Sequence, residues 1–119
     1  MAFARDDTGL RADLDALASQ VHPVFMLPPV AASAFGAVIA GRMALVPLLL
    51  HAAATFFAVY TAHVKDGYVD FYGRGEDDDH PLTATGCRRA LVGAGVGFAT
   101  AGVGLWIVVG PVAAALALP

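Results

Sequence analysis

Residues 43–64 read MALVPLLLHAAATFFAVYTAHV and contain no Asp, Glu, Lys or Arg. Two further windows are also free of charge, Ala16–Gly41 and Ala90–Pro119. The 7 basic and 10 acidic residues of the chain are confined to three places: Arg5–Asp15, Arg42 alone and Lys65–Arg89. A helix needs about 20 apolar residues to cross roughly 30 Å of hydrocarbon, and each window is long enough. The pattern predicts an all-α protein that crosses a membrane several times.

The overall composition excludes several other classes of protein. Of 119 residues, 58% are hydrophobic and only 14% are charged, which argues against a soluble enzyme. A net charge of −3 without a Lys/Arg-rich run argues against nucleic acid as a partner. The single cysteine, Cys87, excludes an internal disulfide. The mixed charges of Arg5–Asp15 differ from the basic start of a signal peptide, so we expect the first apolar window to remain in the mature protein.

We predict one membrane domain over residues 1–119, a polytopic helical bundle with three transmembrane helices and the start of a fourth. Its predicted parts are an interfacial amphipathic helix at 8–21, spans at 22–41, 43–62 and 90–110, a charged cytoplasmic loop at 63–89, and the start of a fourth helix or a tail at 111–119. The interfacial helix is indicated by helical spacing of four apolar residues, Leu10, Leu14, Leu17 and Val21. Pro28 and Pro29 predict a kink or local opening in the first span.

Two features inside the predicted spans bear on helix packing. The spacing Gly93-x-x-x-Gly97 predicts close approach of the third span to a neighbour, because small residues let backbones meet in lipid. His51 lies in the apolar part of the second span. We interpret it as a polar residue that hydrogen-bonds between helices, with an ion path as the alternative.

The distribution of positive charge predicts the orientation. Six of the seven basic residues lie on one side, in the N-terminal segment and the charged loop: Arg5, Arg11, Lys65, Arg74, Arg88 and Arg89. Arg42 is the one on the other side. Because cytoplasmic segments carry the excess of Lys and Arg, we predict a cell-membrane, multi-pass protein with its N-terminus and charged loop in the cytoplasm.

The charged loop contains the residues that carry the chemical prediction. Asp66 and Asp70 are four apart, so on a continuing helix they project from one face where the helix leaves the membrane. Mg²⁺ bound to a diphosphate takes one or two carboxylates and fills its other positions with water and phosphate oxygens. Lys65 and Arg74 suit contact with diphosphate oxygens. The interleaved aromatics suit a developing cation through their ring faces: Tyr68, Phe71 and Tyr72. A solvated polar loop between two spans is the alternative.

The run Asp66-Gly-Tyr-Val-Asp70-Phe-Tyr-Gly-Arg-Gly resembles the first aspartate-rich motif of the UbiA-type intramembrane prenyltransferases, which commonly reads Asn-Asp-x-x-Asp. In that family the motif lies at the cytoplasmic end of the second span. The stretch Gln20-Val-His-Pro-Val-Phe-Met-Leu-Pro-Pro also looks like the start of the first helix in archaeal-type members. The resemblance extends over this chain but matches only the N-terminal portion of a family member.

The resemblance implies a prenyl transfer from a prenyl diphosphate to a lipid or aromatic acceptor within the membrane, with Mg²⁺ as the cofactor. It implies that Asp70, which matches the motif's last aspartate, is a catalytic and metal-binding residue together with Asp66. Asp66 stands where the family usually has Asn, and Gly67 where it often has Asp. The family's second aspartate-rich motif, several spans later, has no counterpart here. We therefore expect the 119 residues alone to be inactive.

Two other classes of protein remain open on the sequence. One is a small non-catalytic multi-pass membrane subunit whose partner chain supplies further helices. The other is a fragment of an ion channel or transporter that uses His51, Asp66 and Asp70 as an ion path. Beyond membrane lipid, the partners predicted on the prenyltransferase interpretation are a prenyl diphosphate, an acceptor and a second chain with the remaining helices.

Overall fold

The computed structural model describes residues 3–39, 41 and 44–117. Apart from one isolated bridge between Ala4 and Leu82, the regular structure of that part is helical, so the all-α prediction is confirmed. The helices are α1 (Leu10–Ala18), α2 (Pro23–Ile39), α3 (Leu45–Tyr68), α4 (Ala84–Val108) and α5 (Pro111–Leu116). A π-helical segment, Val69–Arg74, continues α3 directly.

Two helices are long and apolar enough to cross a membrane by themselves. Helix α3 with its π-helical continuation runs for 30 residues from Leu45 to Arg74, and α4 for 25. At about 1.5 Å per residue, each exceeds the roughly 30 Å of a hydrocarbon core. Helices α1 and α2 pass the same test only as a pair, bent by 67° at the break between them. The described part therefore holds two candidate spans, or three if the bent pair counts as one.

The sharp bend of the N-terminal part does not lie at its paired prolines. Helix α2 continues from Pro23 to Ile39 through both Pro28 and Pro29. The 67° change of direction falls in residues 19–22, between α1 and α2. Pro28 and Pro29 are the sixth and seventh residues of α2, so each lacks the N–H that would donate to the carbonyl four residues earlier, yet the helix continues past both.

The charged loop is shorter than the predicted 63–89. Helix persists to Arg74 and resumes at Ala84, so only residues 75–83 are irregular. The charges that begin at Lys65 limit how much of the helix can lie in hydrocarbon, but they do not end the helix. The helical path ends at Gly75, whose φ of 65° is left-handed and suits glycine. Helix α4 begins with a cap, in which the Thr83 hydroxyl oxygen accepts the Gly86 N–H at 2.7 Å.

Helices α3 and α4 form the main pair, and two glycines of α4 receive large side chains of α3. A Cβ at Gly97 would lie 2.7 Å from ring carbons of Phe57, and one at Gly104 would lie 3.0 Å from a methyl carbon of Leu50. The two contacts are seven residues apart on each helix, and they run in opposite directions along the chain because the helices are antiparallel. The predicted close approach occurs at Gly97, whereas a Cβ at Gly93 would meet nothing within 4 Å. The contact therefore follows a seven-residue spacing and leaves Gly93 open.

Replacing Gly97 with Ala is expected to destabilise the α3–α4 pair by about 1–3 kcal/mol, the usual cost of overpacking. The added methyl group must displace the Phe57 ring. Gly95→Ala is the matched control, because a Cβ there meets nothing within 4 Å. This second change should stabilise the helix by about 0.5–1 kcal/mol through backbone entropy. Thermal unfolding of both variants in detergent measures the two effects, and equal shifts would contradict the contact.

The buried side chains form two small clusters at opposite ends of the α3–α4 pair. The cluster next to the charged loop contains Ala4, Ala16, Val64, Leu82, Cys87 and Ala90. The other contains Ala54, Ala101, Leu105 and Ala117. Outside them the long helices expose large apolar side chains, such as Trp106 at 60% and Ile107 at 77% exposure. Apolar surface of this extent suits contact with lipid or with other helices.

Helix α1 packs with a face that its apolar spacing does not predict. Leu10 and Leu14 are 75% and 55% exposed, whereas Asp13 and Ala16 are buried. The Asp13 carboxylate accepts backbone N–H groups of Phe3 and Ala4 at 2.7 and 3.1 Å, which compensates for its burial. The helix itself is present, and its position at a membrane interface stays a prediction.

Two connections remain, from α2 to α3 and from α4 to α5. Arg42, the single basic residue between the first two predicted spans, lies outside the described residues together with Met43. At the other end, Gly110 has a φ of 137° and lets the chain turn from α4 into the short helix α5. Ala117 then joins the cluster that contains Leu105. Helix α5 agrees with a helix beginning near residue 111.

Candidate functional site

The two aspartates of the motif lie on the polar end of the longest helical path. Asp66 belongs to the last turn of α3, and Asp70 is the second residue of the π-helical segment. Asp66 is exposed and Asp70 is half-buried. The π-helical segment forms the C-terminal end of this path and is followed by irregular chain. Here the wider turn ends with the Gly75 and Glu76 N–H groups both donating to the Asp70 carbonyl, the second at 2.8 Å.

The basic residues predicted to contact a diphosphate are close to the aspartates and accessible. One Arg74 nitrogen lies 3.9 Å from an Asp70 oxygen and 3.9 Å from a Glu76 oxygen. Exposed pairs of this length contribute little to stability, so the guanidinium is free to exchange partners. Lys65 is exposed, and among the described residues it forms no ion pair. Arg74 therefore lies beside Asp70, and Lys65 directly precedes Asp66 in the last turn of α3.

Tyr68 and Tyr72, the tyrosines predicted to line a substrate pocket, pack at the edge of the site. Their rings lie 5.5 Å apart between centroids, and both are half-buried. The Tyr72 hydroxyl donates to the Leu82 carbonyl, which ties the π-helical segment to the start of α4. An Arg88 nitrogen donates to the Tyr68 hydroxyl at 3.4 Å. Tyr72 thus has a structural contact, and a substrate role for either ring stays a prediction.

The irregular segment is anchored by the buried side chain of His80. Its ring lies against Gly67, where an added Cβ would be 2.7 Å from Nε2. The ring also contacts Phe71 and Tyr72, with centroids 6.0 and 5.8 Å away. Its Nδ1 accepts the Leu82 N–H at 3.1 Å. Gly67 therefore provides space for a histidine, directly beside Asp66.

The N-terminal segment closes one side of the site. The Arg5 N–H donates to the Pro81 carbonyl at 3.0 Å, and the Thr83 N–H donates to the Phe3 carbonyl at 2.8 Å. The Arg5 guanidinium is 2.6 Å from an Asp79 oxygen and 4.5 Å from the centroid of the Phe71 ring. Sequence reasoning missed this contact, because no local pattern joins residues 74 positions apart.

The described residues suit Mg²⁺ that is shared with substrate phosphates, and they do not form an all-protein metal cage. No three His, Cys, Asp or Glu side chains of the described part converge to hold a metal ion, so a dedicated protein cage for a metal is not found there. Two carboxylates on adjacent helical turns, with basic groups nearby, match the other mode, in which Mg²⁺ keeps waters and shares substrate phosphates. Asp66 and Asp70 fit that mode.

Two histidines of α3, His51 and His63, contact residues at or next to α2. His51 Nδ1 is 2.7 Å from the Ser33 hydroxyl, which joins α3 to α2 and confirms the interpretation of His51 as hydrogen-bonded between helices. His63 faces His22 at the start of α2, with ring centroids 4.2 Å apart. His51 is 15 residues before Asp66, or about 22 Å along the helix axis, so the two side chains do not belong to one site.

Comparison of the chain with protein-family models, with curated proteins and with solved structures finds no match. The resemblance carried by Asp66–Gly75 accordingly stays a prediction. Asp66, Asp70, Lys65 and Arg74 all lie at the polar end of one helical path, and Arg74 is 3.9 Å from Asp70.

Proposed function

We propose that this chain is the N-terminal part of an intramembrane prenyltransferase that binds a Mg²⁺-complexed prenyl diphosphate at Asp66 and Asp70. The observation that carries the proposal is the position of these carboxylates. They lie on consecutive turns of an unbroken helix, where the apolar path from Leu45 ends and the charges begin. A membrane-bound substrate with a charged head and an apolar tail needs its binding groups where the apolar part of a helix meets the polar edge of the membrane.

The residues around the carboxylates have distinct roles in the proposal. Asp70 and Asp66 hold Mg²⁺, which neutralises the diphosphate as a leaving group when it is bound. Lys65 and Arg74 contact the phosphate oxygens, and Arg74 releases Asp70 and Glu76 to do so. Tyr68 has a half-buried ring whose face is suited to stabilise the cation that develops on the prenyl group. The acceptor is a lipid or an aromatic molecule that enters from the membrane.

The test is equilibrium binding to the purified chain in lipid nanodiscs. The probe is a non-hydrolysable thiodiphosphate analogue of geranylgeranyl diphosphate, measured with Mg²⁺ and again with excess EDTA. We expect saturable binding that EDTA removes. Geranylgeraniol, which has the same tail without phosphate, is the matched ligand and should show no Mg²⁺ dependence. Binding of the analogue that is equally strong in EDTA would contradict the proposal.

We further propose that the site faces the cytoplasm in a multi-pass arrangement in the cell membrane. Cys87 is completely buried and is therefore a poor probe of sidedness. Asp78 is exposed in the irregular segment. With Cys87→Ala in the background, an Asp78→Cys chain should react with a membrane-impermeant maleimide only after the cells are permeabilised. Labelling of intact cells at the same rate would contradict the orientation.

A further inference from the structure

A groove of about 310 Å³ opens along the α3–α4 pair beneath the N-terminal segment. Helix α3 contributes Phe56, Phe57 and Tyr60 to its lining, and α4 contributes Gly93 and Ala94. Arg89 lies in the same lining one helical turn before Gly93. The groove is thus apolar over most of its length and carries a cation at the end that is nearer to the charged loop.

The groove is open at Gly93, which has no side chain. A Cβ at Gly93 would meet nothing within 4 Å, so the space above this residue is unfilled. One turn further along α4, Gly97 receives the Phe57 ring, which fixes that ring as part of the lining. The two glycines therefore differ, since Gly97 receives a side chain of the neighbouring helix and Gly93 leaves apolar space in the lining of the groove.

Arg89 gives the groove its chemical selectivity. The residue is exposed, and its guanidinium carbon lies 5.8 Å from the centroid of the Phe3 ring. Arg89 has no carboxylate partner in residues 3–39, 41 and 44–117, whereas its neighbour Arg88 hydrogen-bonds the Tyr68 hydroxyl. An uncompensated guanidinium above an apolar groove is complementary to an amphiphile with an anionic head.

We propose that this groove binds one anionic phospholipid, with an acyl chain along Gly93 and the phosphate at Arg89. Basic pockets between transmembrane helices on the cytoplasmic side are a recurrent way to hold anionic head groups. The proposal rests on the membrane placement proposed above but not on the aspartate site. Loss of lipid binding and loss of Mg²⁺-dependent diphosphate binding are therefore separate results.

Native mass spectrometry of the detergent-solubilised chain tests the proposal. The probes are dioleoyl phosphatidylglycerol and dioleoyl phosphatidylcholine, added at equal concentrations. We expect a one-to-one adduct in which phosphatidylglycerol is preferred about fivefold, the contribution of a single basic residue at an anionic head group. No preference between the two lipids would overturn the role of Arg89.

Four variants locate the binding. Gly93→Leu fills the groove and should reduce the adduct of both lipids about tenfold, while Gly95→Leu, at an equally open position outside the lining, should leave it unchanged. Arg89→Gln should remove the preference for phosphatidylglycerol, and Arg88→Gln should retain it. Circular dichroism checks that each variant keeps its helices. Equal losses in the two glycine variants, or a dimer mass that Gly93→Leu abolishes in place of a lipid adduct, would overturn the proposal.

Discussion

Replacing Asp70 with Asn is expected to weaken Mg²⁺-dependent binding of the thiodiphosphate analogue about 10- to 100-fold, as expected when a charged ligand becomes neutral. Asp70 is the half-buried member of the pair and already has an arginine beside it. The substitution keeps the size of the side chain and one carbonyl oxygen. The measurement is the dissociation constant in nanodiscs at saturating Mg²⁺, compared with the unaltered chain.

The neighbouring position should respond differently. Asp66→Asn is expected to weaken binding by less than about fivefold, because Asp66 is more exposed than Asp70 and solvent screens its charge more strongly. Asp78→Asn is the matched control, since it removes the same charge from an exposed position in the irregular segment. It should leave the dissociation constant unchanged. A loss with Asp78→Asn equal to that with Asp70→Asn would show that the effect arises from net charge and not from a site.

Replacing Asp13 with Ala is expected to release the N-terminal segment from the rest of the protein. The buried Asp13 carboxylate is the acceptor for the N–H groups of Phe3 and Ala4. Its removal leaves two donors without that partner, at a cost of about 2–4 kcal/mol. The segment's own pairing with residues 81–83 is too short to compensate. Trypsin cleavage after Arg5 should therefore accelerate at least about tenfold, because cleavage follows local opening.

Two control variants distinguish loss of the Asp13 hydrogen bonds from loss of a negative charge on α1. Asp13→Asn keeps one acceptor oxygen and should accelerate cleavage only slightly. Asp15→Ala removes an exposed carboxylate from the same helix and should have no effect. If Asp15→Ala released Arg5 as much as Asp13→Ala, the contact between Asp13 and the N-terminal segment would not be what holds it.

The sequence predicted the parts of the fold that depend on hydrocarbon. The charge-free windows predicted long apolar helices, and α3 and α4 are such helices. The same reasoning could not locate their ends, because charged residues after Val64 are compatible with continued helix outside the apolar layer. It also assigned close packing to Gly93 and Gly97 together, whereas the face of α4 that meets α3 is set by Phe57 and Leu50 on the other helix.

The candidate site was predictable only in its local part. The four-residue spacing of Asp66 and Asp70 is sufficient to place both at one helix end. The contacts of Arg5 with Asp79 and Phe71, and the packing of His80 on Gly67, join distant parts of the chain. The burial of Asp13 inverts the ordinary preference of a carboxylate for solvent, and the cause is two backbone donors that no side-chain pattern reveals.

The most direct test of the central claim maps where the metal binds. Fe²⁺ replaces Mg²⁺ in the nanodisc-bound chain with the thiodiphosphate analogue present, and ascorbate with peroxide then generates radicals that cut the backbone beside the metal. Mass spectrometry of the fragments locates the cuts. We predict cleavage concentrated at residues 66–70, dependent on the analogue and lost in the Asp70→Asn chain. Cleavage centred on His22 and His63, or cleavage that is the same without the analogue, would contradict the account.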